Sequence, residues 1–480
     1  MPFNSAGVYT PAAGATTAAP GDVIRSATWN SIFTDISTAL STLGAQGLAN
    51  IANVLAFGAD PSGAADSTTS IQNAINSLSA TSGIVFFPKG VYKISAPLTI
   101  SVTGISLIGA GRLSSVIRNA SATTDIITIT ASYTRIDSLA LIGTTGVVAT
   151  AGSAISASNS QGSSFNNLFI SDVFQGMILD GSTNNLVTFC KFLNIYGPFG
   201  IQSSNGGGDM IICNQLDPIF WGNYTATSGF TAWAQSTVYA LNDVRSANGG
   251  FFVCTVAGTS SNTGTGPVIT AFNTTIVDGT VHWLFICSTT SRGVRAVTAN
   301  SNFIAFNDIS GPWSVGISLV STSDGTIIKG NTIGQIIGNS ISMNSGATNT
   351  QIEGNVISGA YGPGASGVCE LATTTNGTRV VNNEISGTGS HGILIQADRA
   401  TISNNLIQGY GQISGSYGIE IATNVSKFKV IGNSVVPTST GAIQIAAGAS
   451  DYYNVIGNIV EGGTVVDGGS GIHKTLLGNN

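Results

Sequence analysis

An asparagine returns at regular intervals through the second half of this 480-residue chain, each time within a short run of aliphatic residues. The series comprises Asn307, Asn331, Asn355, Asn383, Asn405, Asn433, Asn458 and Asn479. The intervals average roughly 25 residues, and the surrounding residues alternate as in a strand, without the periodicity of a helix. A period of this length indicates that each repeat forms one coil of a solenoid.

The positions that precede each asparagine are restricted in a way that specifies the coil. Three residues earlier the side chain is aliphatic, as at Ile328, Ile352, Val380, Ile402, Val430, Val455 and Leu476. The residue immediately before is glycine or asparagine, as at Gly330, Gly354, Asn382, Asn404, Gly432, Gly457 and Gly478. These two residue types tolerate a left-handed backbone best. The pattern therefore predicts an all-β fold, a right-handed parallel β-helix, with a tight corner before each asparagine and a ladder of amides inside.

A second strand precedes most of these asparagines by about fifteen residues. Its inward-facing pairs are predicted to be Cys369 and Leu371, Ile393 and Ile395, Ile419 and Ile421, and Ile443 and Ile445. The outward column between them would contain Ser318, Ser342, Glu370, Leu394, Glu420 and Gln444. This alignment predicts that two glutamates share one exposed face, two coils apart.

The repeat is interrupted between Asn214 and Asn307, where the composition also changes. We predict an inserted β-rich module at 225–291, which divides the β-helix into a first part at 51–224 and a second part at 292–480. Two of the five cysteines, Cys254 and Cys287, lie in this module, so a disulfide between them is an alternative to free thiols.

The module's segments AWAQSTVYALNDV, GGFFVCTVAGTS and DGTVHWLF resemble the small β-rich carbohydrate-binding modules found on chitinases and phage tail proteins. The resemblance implies that Trp233, Tyr239 and Trp283 stack on sugar rings. The alternative is that these rings form the core of a module that has little else to bury.

The first fifty residues differ again in composition. A Pro/Gly/Thr-rich arm is followed by a two-heptad apolar stripe on a predicted helix, formed by Trp29, Ile32, Ile36, Ala39 and Leu43. So short a stripe does not hold a chain alone. We expect residues 1–50 to pack against copies of themselves or a partner, or against the base of their own β-helix.

Composition excludes several classes of function. The net charge is −6 and only 8% of residues are charged, without a basic stripe, so no nucleic-acid partner is expected. No apolar stretch approaches the length of a membrane span, and no signal peptide is visible. The cysteine and histidine spacing fits no metal site, and no nucleotide or dinucleotide motif is present, so no cofactor is expected.

The stretch that follows the N-terminal segment carries a family resemblance. FGADPSGAADSTTSIQNAI, which ends at Ile75, and GIVFFPKGVY, which ends at Tyr92, resemble the start of pectate-lyase-superfamily β-helices, which recurs in bacteriophage tailspikes. We expect Ile71, Ala74, Ile75 and Leu78 to face inward from a helix that caps the solenoid. Asp60 and Asp66 lie in this motif, and we interpret them as structural turn and cap residues.

The resemblance implies a homotrimeric tailspike or tail fibre in the virion tail. Such a protein would attach to a phage tail or baseplate protein through its N-terminal segment, and would bind and often cleave a bacterial surface polysaccharide. The alternative is a non-catalytic adhesin or structural fibre that binds host glycans. Because LLGNN continues the repeat columns to Asn480, we further expect no separate C-terminal trimerisation domain, and the tips of three chains to converge.

Carboxylates are scarce enough to weigh individually as catalytic candidates. Glu370 and Glu420 would lie roughly 9 to 10 Å apart, at the upper edge of the separation in an inverting glycosidase. Asp398 and His391, from the coil between them, could complete the groove. An alternative groove on earlier coils would contain Asp172, Asp180, Asp209 and Asp217. Lys329 and Glu353 are interpreted as a surface ion pair rather than as a lyase base and its partner.

Overall fold

The computed structural model describes residues 50–78, 82–144, 146–217, 231–272, 274–362, 364–412, 416–436 and 441–480. The N-terminal helix predicted from Trp29 to Leu43 lies outside these residues. The described chain forms a right-handed parallel β-solenoid of about 16 turns, as the repeat predicts.

Three parallel sheets, here named PB1, PB2 and PB3, run the length of the solenoid, and each complete coil contributes one strand to each. The corners are named T1 from PB1 to PB2, T2 from PB2 to PB3, and T3 from PB3 to PB1. PB1 comprises Leu98–Ile100, Ile127–Ile129, Ser153–Ser158, Gln175–Asp180, Phe199–Ser204, Arg292–Val297, Val315–Val320, Ile341–Met343, Val368–Glu370, Ile393–Ile395, Tyr417–Ile421, Gly441–Gly448 and Val465–Gly469. PB2 comprises Ile51–Asn53, Gly83–Phe87, Ile105–Gly109, Arg135–Asp137, Ser164–Asn166, Leu186–Thr188, Met210–Ile212, Phe303–Ala305, Ile327–Lys329, Gln351–Glu353, Arg379–Val381, Thr401–Ser403, Lys429–Ile431, Tyr453–Ile456 and Lys474–Leu477. PB3 comprises Gly90–Ile94, Ser115–Asn119, Ala140–Ile142, Phe169–Val173, Lys191–Ile195, Gln215–Leu216, Asp308–Ser310, Thr332–Ile336, Val356–Ala360, Glu384–Thr388, Leu406–Gln408, Ser434–Val436 and Ile459–Val460.

The asparagine column forms a continuous hydrogen-bonded ladder inside corner T2. Asn331 donates from Nδ2 to Oδ1 of Asn355 at 3.0 Å, and its backbone N–H donates to the same oxygen at 2.9 Å. The pattern runs from Asn214 to Asn479, so the ladder reaches the last coil. The preceding corner residue is left-handed, with φ of 63° at Gly330 and 57° at Asn382. The predicted ladder and corner are confirmed, and each amide satisfies backbone groups that the corner would leave unpaired.

A short cap closes the N-terminal end of the solenoid. A 3-10 turn at Val54–Phe57 precedes the α-helix Thr68–Ser77, whose inward side chains are buried as predicted: Ile71, Ala74, Ile75 and, just after it, Leu78. Asp60 accepts from the backbone N–H groups of Ser62, Ala64 and Ala65. Asp66 accepts from the N–H of Thr68 at 2.8 Å. Both aspartates therefore stabilise the turn and the start of the helix, which confirms their structural interpretation.

The predicted alignment of the second strand is wrong by one residue in a single coil. Val368, not Cys369, pairs with Ile393, so Cys369 is level with Leu394 and Glu370 faces the interior. Leu371, predicted inward, is 46% exposed, whereas Glu370 is 1% exposed. The reason is steric: a Cβ at Gly367 would come within 2.5 Å of the inward Ile385 side chain, so a glycine must precede the first inward residue.

The inserted residues form an antiparallel unit at T3. Its main sheet contains Val244–Ala247, Gly250–Val256, Thr275–Asp278 and Val281–Ser288, and a separate ribbon pairs Val238–Tyr239 with Gly258–Thr259. One side of the unit packs on Tyr196 and Phe174 of earlier T3 loops, and the other packs on Ile337 of a later one. The module therefore packs between the T3 loops and is not merely linked to the solenoid by flexible segments.

Candidate functional site

The outward column of PB1 carries Glu420 between two uncharged neighbours. Leu394 lies directly beside it on the preceding coil, and Gln444 lies beside it on the following coil. The inward neighbours Ile419 and Ile421 are fully buried, and they fix the strand so that the glutamate points outward. The structure therefore confirms the outward position of Glu420, on the face where an extended ligand could reach it.

A histidine from the T3 corner contacts this glutamate. Nδ1 of His391 lies 3.2 Å from Oε2 of Glu420, and the two side chains are only 17% and 22% exposed. The backbone N–H of Tyr417 also approaches Nδ1, at 3.3 Å. Nδ1 can serve only one of these neighbours at a time: it donates to Glu420 when it is protonated, and it accepts from Tyr417 when it is not.

Burial lowers the pKa of His391 below its ordinary value, and it outweighs the opposing attraction of the Glu420 carboxylate. The imidazole is therefore neutral at pH 7. In the neutral tautomer whose Nδ1–H donates to Glu420, Nε2 is the acceptor nitrogen that can take a proton from a bound hydroxyl group, and the carboxylate stabilises the imidazolium that forms. This is general acid–base chemistry, of the kind required to cleave a glycosidic bond.

Glu370 does not join this pair. Its Oε2 accepts from the backbone N–H of Ala397 at 2.9 Å and of Gln396 at 3.1 Å, and its Oε1 accepts from the Thr378 hydroxyl at 2.8 Å. Burial raises the pKa of Glu370 in spite of these bonds. The proposed outward pair of Glu370 and Glu420 is thus corrected: one carboxylate lies inside the solenoid and the other outside, so no groove holds both.

Asp398 also lies away from the predicted groove. It follows the strand Ile393–Ile395, whereas His391 precedes it, so the two residues lie at the T1 and T3 ends of PB1. Its Oδ1 accepts from the backbone N–H of Ser426 at 2.7 Å, which makes it a turn residue in this structure. The ion pair of Lys329 with Glu353, at 3.3 Å and with both side chains about 40% exposed, is confirmed as a surface contact.

The alternative groove does not form either. Asp172 lies in PB3 and Asp180 ends a strand of PB1, where each binds a neighbouring polar side chain. Asp209 is fully buried and accepts from Asn185 and Ser203, and its burial raises its pKa. Asp217 follows the PB3 strand Gln215–Leu216. Asp180 and Asp209 lie at corner T1, whereas Asp172 and Asp217 belong to PB3 and its end, so the four residues do not line one groove.

Two of the three rings proposed for sugar stacking are core residues of the module. Trp283 is fully buried and Tyr239 is 2% exposed, so neither presents a face to a sugar. The two rings pack edge to face, 4.9 Å apart. Trp233 is only partly buried, and its Nε1 donates to Asp278 at 2.7 Å. The sugar-stacking prediction therefore remains for Trp233 alone, and the other two confirm the alternative.

No set of three or more histidine, cysteine, aspartate or glutamate side chains is arranged for a metal ion in the described ranges. Within those ranges no helix combines the length and the hydrophobicity of a membrane span. All five cysteines are free thiols, so Cys254 and Cys287 do not form a disulfide.

Sequence reasoning placed His391 near this face but missed its contact with Glu420. Strand alignment alone does not report a contact between a T3 corner and the next coil. The inward position of Glu370 was detectable, because Gly367 aligns with Gly392 and Gly418, the glycines that precede the other inward residues.

Two family models match the chain, and the first match continues into the inserted module. Residues 51–267 match the model described as rhamnogalacturonase A/epimerase, pectate lyase-like. Residues 292–465 match the model of the right-handed β-helix region. No curated protein sequence matches the chain significantly.

Several solved structures share the fold at low sequence identity. The catalytic unit of an α-1,3-glucanase from Streptomyces thermodiastaticus is 19% identical with a TM-score of 0.51, over 90% of this chain and 69% of that one. The Dettilon tailspike protein is 12% identical with a TM-score of 0.50, over 88% and 69%. DFA-IIIase from Arthrobacter chlorophenolicus is 8% identical with a TM-score of 0.54, over 82% and 94%. These similarities establish the right-handed parallel β-helix fold.

Proposed function

We propose that this protein recognises a bacterial surface polysaccharide along its β-helix during host adsorption, in the manner of a phage tailspike. The observation that carries the proposal is the outward face of PB1, an uninterrupted series of thirteen strands with the half-buried His391–Glu420 pair on it. Because neighbouring strands are about 4.8 Å apart, the sheet extends for roughly 55 to 60 Å. Its outward side chains are partly exposed toward both ends, and Ser318, Ser342 and Cys369 in between are buried. That length matches an extended polymer better than a small molecule.

Two further observations support a polysaccharide as the ligand. The opening motif from Phe57 to Tyr92 resembles that of phage tailspikes, and the fold is shared with the Dettilon tailspike protein. A β-helix is also the fold of the catalytic unit of the α-1,3-glucanase, whose name states a polysaccharide substrate. Since fold alone does not determine function, the proposal depends on the PB1 face as well.

We assign general acid–base catalysis of polysaccharide cleavage to His391 and Glu420. Such a group contributes about 10²- to 10⁴-fold to a rate. A non-catalytic adhesin is the second candidate, and one observation favours it. Leu394 and Gln444 flank Glu420 where a paired-carboxylate glycosidase would require a second acid.

Cleavage assays with matched variants separate these candidates. Purified bacterial surface polysaccharides would be incubated with the protein, and new reducing ends and unsaturated uronate absorbance would be followed. We expect His391→Ala and Glu420→Gln each to slow cleavage at least about 100-fold, whereas Glu384→Gln, on the exposed side of PB3, retains the wild-type rate. Binding without cleavage selects the adhesin, and cleavage that both variants retain removes the pair from the mechanism.

The assembly that fits this function is a parallel homotrimer in the virion tail, attached to a tail or baseplate protein through residues 1–50. A chain with exposed apolar residues such as Leu113, Val238 and Ile472 has surface that lateral partners could cover. Light scattering should give three times the chain mass of 48.6 kDa. A monodisperse monomer would contradict the trimer.

A further inference from the structure

In three successive coils, the left-handed residue at corner T2 is neither glycine nor asparagine. Phe189, Cys213 and Phe306 have φ of 54°, 56° and 56°, where the later coils have glycine or asparagine. Strand register places them in one column, directly above one another along the solenoid axis. Large side chains are rare in this conformation because Cβ crowds the backbone.

Burial does not compensate for this backbone strain. Phe189 is 59% exposed and Phe306 is 54% exposed. The Phe306 ring lies against the next coil, where a Cβ at Gly330 would come within 2.6 Å of it. Strained residues that are kept without burial concentrate at ligand clamps and other functional sites.

A cavity of about 530 Å³ opens beside the Phe189 ring. Its lining includes Phe189, Arg112, Lys191, Asn167 and Gln215, and none of its lining residues is acidic. Arg112 reaches from the loop of an earlier coil, and its Nη1 donates to the backbone carbonyl of Phe189 at 3.3 Å. The cavity therefore combines an exposed ring, two cations and side-chain amides, within the usual size range of ligand sites.

The carboxylates near the cavity do not neutralise the positive charges of Arg112 and Lys191. Asp137 is 6% exposed and is neutralised by Arg135 at 2.6 Å, with further bonds from Ser138 and Asn166. Asp308 is two strands beyond Lys191 in the same PB3 column, roughly 10 Å away. A local excess of positive charge in a chain of net charge −6 points to an anionic ligand.

We propose that this T2 cavity binds an acidic sugar residue of a glycan. The Phe189 ring would pack on the apolar face of the pyranose, with Phe306 available to a following sugar two coils away. Arg112 and Lys191 would bind the carboxylate or sulfate, and the amides of Asn167 and Gln215 would bind hydroxyl groups. T2 joins the two sheets other than PB1, so this site is separate from the His391–Glu420 pair and independent of any catalysis there.

The test uses the full chain and three defined hexasaccharides: a galacturonate hexamer, a heparin-derived hexamer and neutral maltohexaose. We expect at least one acidic hexamer to bind with a Kd below 1 mM, and maltohexaose to bind at least about tenfold more weakly. Phe189→Asn should weaken acidic binding at least about tenfold and also raise the Tm, because asparagine accepts the left-handed backbone. Lys191→Gln should weaken binding and reduce its salt dependence.

Tyr133 provides the matched control. It has φ of 55° and is 59% exposed, but it lies at corner T1. Tyr133→Asn should raise the Tm and leave acidic binding unchanged. The proposal is overturned if no acidic hexamer binds, if maltohexaose binds equally, or if Tyr133→Asn loses as much binding as Phe189→Asn. A change of oligomeric state in Phe189→Asn would instead make this corner an interface between copies.

Discussion

Asn355 and Asn383 lie on neighbouring coils, and Nδ2 of Asn355 donates to Oδ1 of Asn383 at 2.9 Å inside corner T2. Oδ1 of Asn355 in turn accepts from the backbone N–H of Asn331 at 2.9 Å, and its Nδ2 also donates to the carbonyl of Ile328 at 3.0 Å. The side chain thus joins three consecutive coils through buried groups that water does not reach.

Replacing this amide should destabilise the solenoid strongly. Asn355→Ala leaves a buried N–H and a buried carbonyl without partners, at about 1–3 kcal/mol each. We expect a clear drop in the urea midpoint, measured by far-UV circular dichroism. Asn382→Gly is the control, because residue 382 is an exposed left-handed corner where glycine is equally suited. Equal urea midpoints for the two variants would show that the asparagine ladder does not stabilise the solenoid.

Glu370 predicts a specific dependence of stability on pH. Burial raises its pKa above the ordinary value of 4.5, so the folded state binds this proton more tightly than the unfolded chain does. The stabilisation is full below pH 4.5 and is lost as the pH rises through the folded pKa. Glu370→Gln removes this loss, so its stability relative to wild type should increase with pH above 4.5. Glu353→Gln, at a site about 40% exposed, should show the same dependence of stability on pH as the wild type. If the stability of Glu370→Gln also changes with pH in parallel with the wild type, Glu370 is not the group responsible.

The thiols should differ sharply in reactivity. Burial raises the pKa of Cys190, Cys287 and Cys369 to about 12 and also raises that of Cys254, whereas Cys213 is only partly buried. With Ellman's reagent at pH 8, we expect about one thiol to react rapidly in the native protein and all five after denaturation. Cys213→Ser should abolish the rapid phase. Three reactive thiols after denaturation would instead reveal a disulfide.

Asp278 should hold the inserted module together. Its carboxylate accepts from Nε1 of Trp233 at 2.7 Å, from Nε1 of Trp283 at 3.3 Å and from the backbone N–H of Ser261 at 3.0 Å. Asp278→Ala leaves these donors unpaired, at a cost of about 2–4 kcal/mol. Tryptophan fluorescence should therefore change at lower urea than far-UV circular dichroism does. Asp308→Asn, an exposed substitution on PB3, should leave the two transitions as in wild type.

The sequence specified the solenoid well because its constraints are local and repeated. The Gly330 and Asn331 columns each recur in many coils, so one backbone conformation and one interior bond could be inferred from residue type alone. The candidate site was less predictable, because it depends on contacts between coils. Glu370 was assigned to the wrong face by one residue, and the contact of His391 with Glu420 joins a corner to the next coil.

The same limit applies to the T2 cavity. Extending the corner column back from Gly330 would have placed Phe306, Cys213 and Phe189 at the left-handed position. The approach of Arg112 from a loop several coils away has no counterpart in the local sequence pattern.

Polysaccharide recognition can be measured by affinity electrophoresis of the full chain through gels that contain purified bacterial surface polysaccharides. We expect at least one polysaccharide in a broad panel of capsules and O-antigens to retard the protein, and free polysaccharide to compete. Absence of retardation on every polysaccharide, by protein whose β-sheet circular dichroism and oligomeric state are intact, would contradict it.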